Sequence, residues 1–362
     1  MTVNVIVIGQ GMITPVGVGA LATAAAARAG INRYVNSPAE GMNGEPIKMA
    51  MVPDECLPEI EFKDTRAQLA LYQRMLKLGV VALTEAVESL SPEKQLKEAI
   101  PVFLALPEQR CGQAFPALEP ILKDLSNAVE CHIDLLTSRV FPVGRAAGFR
   151  ALAEAYQLLE NTHLERVIVG GIDSYFDLDL LKLLDSEKRM LGDNSVDGFV
   201  PGEGAAFLIL EKIALEKTGQ DAKGLSIQAP SVGNENGHFY SEEPCLGNGL
   251  TSAISGAVES AKLLSPIQTV LCSVNGESLQ VKEWSIALTR NTQAFSQGFN
   301  VEHPAECYGD LGAATVPTLL GLSLTGISKG YLSTPLLVWG ASDNECRGAV
   351  IISNNQTAVQ GA

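Results

Sequence analysis

Among the side chains able to attack a carbonyl or hold a metal, the scarcest are seven cysteines (Cys56, Cys111, Cys131, Cys245, Cys272, Cys307 and Cys346) and four histidines (His132, His163, His238 and His303). The cysteines are odd in number, widely spread and without a C-x-x-C pair. They outline neither a disulfide framework nor a zinc site, and a reducing compartment suits them best. Cys307 lies three residues before Asp310 and His303 seven before it, so a thiol-imidazole pair could form there. A free cysteine is more commonly a small buried apolar residue, which is the simpler reading of Cys307 and of Cys111. His132, His163 and His238 match no motif and read as loop or surface residues. Glu203 stands among Gly198, Gly202 and Gly204 in Asp197-Gly198-Phe199-Val200-Pro201-Gly202-Glu203-Gly204-Ala205-Ala206. A carboxylate so placed could move a proton, but glycines that let backbones cross point to a buried structural Glu that needs hydrogen-bond partners. Gly9-Gln10-Gly11 after an apolar run suggests a dinucleotide turn. Thr14 stands where the third glycine belongs, and no acidic residue follows about 20 positions on. No cofactor or metal site is expected.

These residues hang on a regular alternation. Val5-Ile6-Val7-Ile8, Pro101–Leu106, Arg166–Val169, Ala206–Leu210, Thr269–Leu271, Pro335–Trp339 and Ala349–Ile352 are short apolar runs bounded by turn residues, as buried strands are. Between them lie helical patterns at Gln68–Ser89, Ala146–Leu159, Leu250–Leu264 and Ala313–Thr325. Strands alternating with helices predict a mainly parallel sheet covered on both faces. The charged stretch Glu211–Lys223 divides two α/β halves, 1–214 and 215–362. Asn32–Pro58 and Gly233–Gly249, rich in Gly, Pro, Asn and Glu, read as surface loops.

With 362 residues, 46% of them hydrophobic and 19% charged, the chain can bury a large core. Its formal charge of −15 opposes nonspecific binding to nucleic acid or an anionic membrane, and weakens a case for docking an acidic carrier protein. The apolar stretch Val3–Ile31 has no basic leader and is broken by Gly9, Gly11, Pro15, Gly17 and Gly19. It reads as strand, turn and helix, neither signal peptide nor membrane span, and a cytoplasmic location is expected.

Three strings give the chain a family likeness. Gly9-Gln10-Gly11-Met12-Ile13-Thr14-Pro15-Val16-Gly17 resembles the opening strand and turn of β-ketoacyl synthases, members of the thiolase superfamily. Gly198-Phe199-Val200-Pro201-Gly202-Glu203-Gly204-Ala205 resembles their G-F-V-x-G-E-G-A segment and is the most specific of the three. Gly144-Arg145-Ala146-Ala147-Gly148, followed by Glu154–Leu159 and Val167–Gly171, resembles their nucleophile-helix-strand unit without a gap. The resemblance implies a five-layer αβαβα thiolase-type fold of two similar halves. It also places the family's catalytic Cys at Arg145. Val274-Asn275-Gly276-Glu277-Ser278 is similar to the loop carrying its first His, with Asn275 at that position. Tyr308-Gly309-Asp310-Leu311-Gly312 is similar to the segment carrying its second, with Asp310 in place of His and Ala305 where a Lys normally precedes it. The family's Gly/Phe-rich gating loop falls at Asp343-Asn344-Glu345-Cys346.

The likeness therefore holds in scaffold motifs and fails at each catalytic position. A guanidinium cannot form a thioester, so ordinary Claisen condensation is not expected. The chain reads as a noncatalytic relative in fatty acid or polyketide-type metabolism. It would be a partner subunit like a chain-length factor, or an acyl- or ligand-binding protein. The alternative is an acyltransferase with rearranged residues, for which Cys307 and His303 are the candidates. A nicotinamide oxidoreductase ranks well behind. The family implies a homodimer, or a heterodimer with an active ketosynthase, formed near Val167–Val169, with an acyl carrier protein as a further partner. A cation at a helix N-terminus needs an anion, so Arg145 is expected to form an ion pair with Asp310, completed by Asn275. The competing arrangement has Arg145 holding a phosphate or carboxylate ligand.

Overall fold

The β-branched run at the start seeds β1 (Asn4–Thr14), which runs on as strand past Gly9 and Gly11 despite an irregularity in its pairing between Val7 and Gly9. These glycines do not shape a turn. They lie under α2 (Ala70–Glu88), where a Cβ on Gly9 would stand 2.7 Å from the Ala86 carbonyl oxygen and one on Gly11 2.2 Å from that of Ala82. Their lack of a side chain is what lets helix and strand meet. The computed structural model describes residues 4–41, 43–60, 70–96, 98–108, 120–192, 195–213 and 225–354. Cys111 and the expected boundary at 214/215 lie outside them.

After β1 come β2 (Gly17–Val18), α1 (Ala20–Arg28), and β3 (Val35–Glu40) paired with β4 (Pro46–Met49). This hairpin corrects the expectation of a plain loop over Asn32–Pro58. Its strands alternate exposed and buried residues, with Ala39, Ile47 and Met49 turned inward. Beyond α2 the first half continues with β5 (Val102–Leu106), α3 (Ile121–Ala128), β6 (Arg139–Pro142), α4 (Ala147–Asn161), β7 (Arg166–Ser174), α5 (Leu178–Ser186) and β8 (Glu203–Ile213). The second half holds β9 (Leu225–Ile227), β10 (Ser231–Asn234), α6 (Asn248–Ala261), β11 (Ile267–Cys272), α7 (Ser278–Arg290), β12 (Phe295–Glu302), α8 (Ala305–Tyr308), α9 (Thr315–Ser328), β13 (Leu336–Ala341) and β14 (Cys346–Asn354).

One path of strands, β12-β11-β13-β14-β9-β1-β8-β7-β5-β6, links both halves. Each half contributes five strands in the same spatial order: third, second, fourth, fifth, first. In each, the first three on that path from the edge are parallel, and the fifth strand in chain order runs antiparallel to its neighbours. The join is a short antiparallel pairing of β1 with β9 at Val5 and Ile6. Because both faces are covered, successive strand residues enter different cores. Phe207 and Ile209 pack with α2 and α3, while Leu208 and Leu210 pack with α4 and α9. Val270, Leu337 and Ile351 pack with α6 and α7. The order is therefore helices, sheet, helices, sheet, helices. The middle helix α9 is buried almost all round, as its run Thr315-Val316-Pro317-Thr318-Leu319-Leu320 requires.

Val167–Val169, expected at a dimer interface, is fully buried in β7 between β8 and β5 and has no free edge. Among the described residues the edge strand on this side is β6, whose Arg139 and Pro142 are exposed. No described helix is long and apolar enough to cross a membrane.

Candidate functional site

Two short turns aim side chains at the space between the halves. After β6, Gly144 adopts φ +71°, a left-handed backbone that favours glycine, and starts a single 3₁₀ turn, Gly144–Ala146, that leads into α4. Arg145 follows and is 4% exposed. Its Nη1 donates to Asp310 Oδ2 at 2.8 Å, its Nη2 to Asp343, and its Nε to the Ala341 carbonyl at 3.0 Å. On the other side Gly309, with φ +74°, turns the chain into Asp310 just before α9. Asp310 Oδ2 also accepts from Asn275 Nδ2 at 2.7 Å, and Oδ1 accepts from the Gly312 N–H at 2.8 Å. The expected Arg145–Asp310 ion pair with Asn275 completing it is present. Nε, Nη1 and Nη2 of Arg145 all donate to protein acceptors, which speaks against the competing arrangement.

The cluster is larger than the sequence suggested. Asp343, 1% exposed, bridges Arg145 to Arg189, which donates to it from Nη1 at 2.8 Å and Nη2 at 2.9 Å. Arg189 also forms a two-pronged pair with Glu277, at 2.7 and 2.9 Å, and stacks 3.8 Å from the Phe239 ring. Each of these ion pairs joins a residue of the first half to one of the second. Burial works to lower the Arg145 pKa, and Asp343 and Asp310 outweigh it, so the guanidinium stays charged. The loop carrying Asp343 is itself fixed. Arg347 Nη1 donates to the carbonyls of Ser342 and Cys346 at 2.9 and 3.0 Å, while its Nε pairs with Glu283 at 2.7 Å. Ser342 Oγ accepts from the Ala146 N–H at 3.0 Å, satisfying one orphan donor at the start of α4. Glu108 accepts from the Asp343 N–H at 3.2 Å and from Asn344 at 2.6 Å.

This arrangement binds charge to charge. Among the described residues, none of the hydrogen bonds of Arg145, Asn275 or Asp310 goes to a Cys or His. Among the described residues no group of three His, Cys, Asp or Glu is placed to hold a metal ion.

Cys307 and His303 do not pair with each other. His303 Nδ1 lies 3.1 Å from Cys272 Sγ, whereas Cys307 Sγ faces the Ala27 carbonyl at 3.7 Å. Burial pushes the Cys272 thiol up to about 12, and burial with Glu306 and Glu302 raises Cys307, so neither is a thiolate at neutral pH. Iodoacetamide added to the native protein at pH 7 is expected to alkylate the half-buried Cys56 and leave Cys272 and Cys307 free, as peptide mapping would read. Prompt labelling of Cys307 would contradict this. His132 and His163 are exposed and His238 half-buried in its loop.

Glu203 has the hydrogen-bond partners that its burial calls for. Fully buried, it accepts from Arg74 Nε and Nη2, both at 2.6 Å, from the Val52 N–H at 2.8 Å and from Ser174 Oγ at 2.8 Å. The flanking glycines permit backbone crossings. A Cβ on Gly198 would lie 2.6 Å from the Arg189 carbonyl oxygen, on Gly202 2.7 Å from that of Tyr308, and on Gly204 2.7 Å from that of Ile13. Phe199 is fully buried, edge-on to Tyr175. The segment then lies alongside the second turn, with the Asp310 N–H bonded to the Val200 carbonyl and the Gly202 N–H to the Asp310 carbonyl.

The fold is that of ketosynthases. A ketosynthase domain of oxazolomycin synthesis from Streptomyces albus superposes with a TM-score of 0.77 at 14% identity, over 99% of this chain and 76% of the other. The ishigamide ketosynthase/chain length factor gives 0.75 at 15%, over 98% and 100%. A ketosynthase in complex with its chain length factor from Xenorhabdus doucetiae gives 0.72 at 16%, over 97% and 98%. No protein-family model and no curated protein matches the sequence.

Proposed function

We propose that this chain is a non-condensing ketosynthase-like subunit, comparable to a chain length factor, that works beside an active ketosynthase. Arg145 carries this reading. It occupies the start of α4, the position we assign to the family's acyl-bearing Cys, and its guanidinium is held by Asp310, Asp343 and the Ala341 carbonyl. With Asn275 and Asp310 at the positions assigned to the two histidines, the site has neither a group to take up an acyl chain nor one to activate it. We divide the chain at 214/215, in keeping with the repeated strand order. The free edge of β6, directly before Arg145, is the place we assign to the partner's strand. Ketosynthase–chain length factor pairs among the similar structures support the role. The charge of −15 fits a subunit that leaves the acidic carrier protein to its partner.

Incubated with acyl-CoA or with acyl carrier protein loaded by an acyl group, the protein is expected to keep its unmodified intact mass. A covalent adduct of acyl mass would overturn the proposal in favour of an acyltransferase with rearranged residues. Co-expression with a complete Cys-His-His synthase, followed by light scattering, should yield a mixed dimer.

A further inference from the structure

A cleft of about 510 Å³ opens between the end of α1, the ends of β11 and β12, α8 and α9. None of its lining residues belongs to the Arg145 cluster. Its apolar wall includes Leu271 and Leu322, 2% and 4% exposed. Its rim carries opposite charges on different elements. Arg28, the last residue of α1, holds its guanidinium 4.4 Å over the Tyr331 ring and makes no hydrogen bond or ion pair with any described residue. The same cleft is lined by Glu302, which ends β12, and Glu306 in α8. Arg28 and Glu302 both act electrostatically on the Tyr331 hydroxyl, yet they do not form an ion pair with each other.

We infer that this cleft binds a small zwitterion, an α-amino acid with an aliphatic side chain or a close analogue. A carboxylate alone would meet Glu302 and Glu306, and an ammonium alone would meet Arg28. A neutral apolar molecule would cover charged rim groups without replacing their water. A molecule with both charges on one carbon satisfies both sides, with its carboxylate on the free donors of Arg28 and its ammonium on the glutamates. Its aliphatic group then lies against the half-buried Leu332 and the wall behind it. Stacking on Tyr331 already holds the guanidinium in place, so little ordering is left for the ligand to impose. The volume falls in the range of small-molecule sites, roughly 300–1,000 Å³.

Titration calorimetry of the full chain with L-leucine tests this. Saturable binding is expected at millimolar concentration or below. Binding of 4-methylpentanoate, which lacks the ammonium, and of isoamylamine, which lacks the carboxylate, should each be at least about tenfold weaker. Arg28→Gln and Glu302→Gln change exposed side chains and should leave the fold intact while weakening leucine by a similar factor. Absence of saturable leucine binding, equal binding of either single-charge analogue, or an unchanged leucine affinity in both variants would each overturn the inference. Intact mass after acyl-donor treatment reads the Arg145 site separately, so the two readings can fail independently.

Discussion

An Asp343→Ala protein is expected to lose about 3–5 kcal/mol of unfolding free energy, which is a large part of what a domain has to spare. Asp343 is the carboxylate shared by both buried guanidiniums. Without it Arg189 keeps Glu277 and Arg145 keeps Asp310, but each cation loses an acceptor in a place that water cannot readily refill. For Arg145 the deficit is worse, because it stands at the start of α4, where unsatisfied N–H groups already disfavour a cation by about 0.3–1 kcal/mol. Asp343→Asn keeps an acceptor oxygen but not the charge, and should fall between wild type and Ala. Urea unfolding followed by circular dichroism would measure the series. A loss under about 1 kcal/mol for Asp343→Ala, the size of an ordinary substitution, would mean that the cluster is solvated and not a lock between halves.

Much of this could be read from the chain, and what could not has physical causes. Arg145 was legible because an unbroken match from Gly144 to Gly171 fixed its register, and a buried cation demands an anion. Asp310 came from a second motif that the fold brings to the same space. Arg189 gave no such signal. It follows Glu187 and Lys188 in a polar turn after α5, and such a charge run reads as a solvated surface. The fold buries it because Phe199 and Phe239 take its two sides and Glu277 and Asp343 take its donors. Glu277 lies in the segment Val274–Ser278 and Asp343 in Asp343–Cys346, and only tertiary structure gives them one partner, Arg189. The same limit explains the glycines of β1, where the sequence shows flexibility and only packing against α2 shows why it is used. It also explains β7, whose apolar run marks a buried strand without saying which strand has the open edge.

Arg145→Cys, which puts a thiol where the proposed function assigns the nucleophile of β-ketoacyl synthases, is expected to give a weaker protein and no acyl carrier. The wild-type cluster sets two guanidiniums, Arg145 and Arg189, against three carboxylates, Asp310, Asp343 and Glu277. The single change leaves one guanidinium against three carboxylates and should cost about 3–5 kcal/mol. The nearby anions Asp310 and Asp343 would also oppose ionisation of the new thiol, outweighing the favourable end of α4. With Asn275 and Asp310 still in place, no imidazole is there to take its proton. Adding Asn275→His and Asp310→His removes one of those carboxylates, and one guanidinium then faces two, the same excess as in the wild type. The triple variant should therefore be more stable than the single one by at least about 1 kcal/mol, although it carries two further buried changes, because residues that share a partner do not act additively. Its thiol should also react faster with iodoacetamide than that of the single variant. Urea titration of the two variants beside wild type, with intact-mass analysis after acyl-CoA, reads both effects. A single variant as stable as wild type, or one that acquires an acyl group, would show that Arg145 is not what holds the site closed.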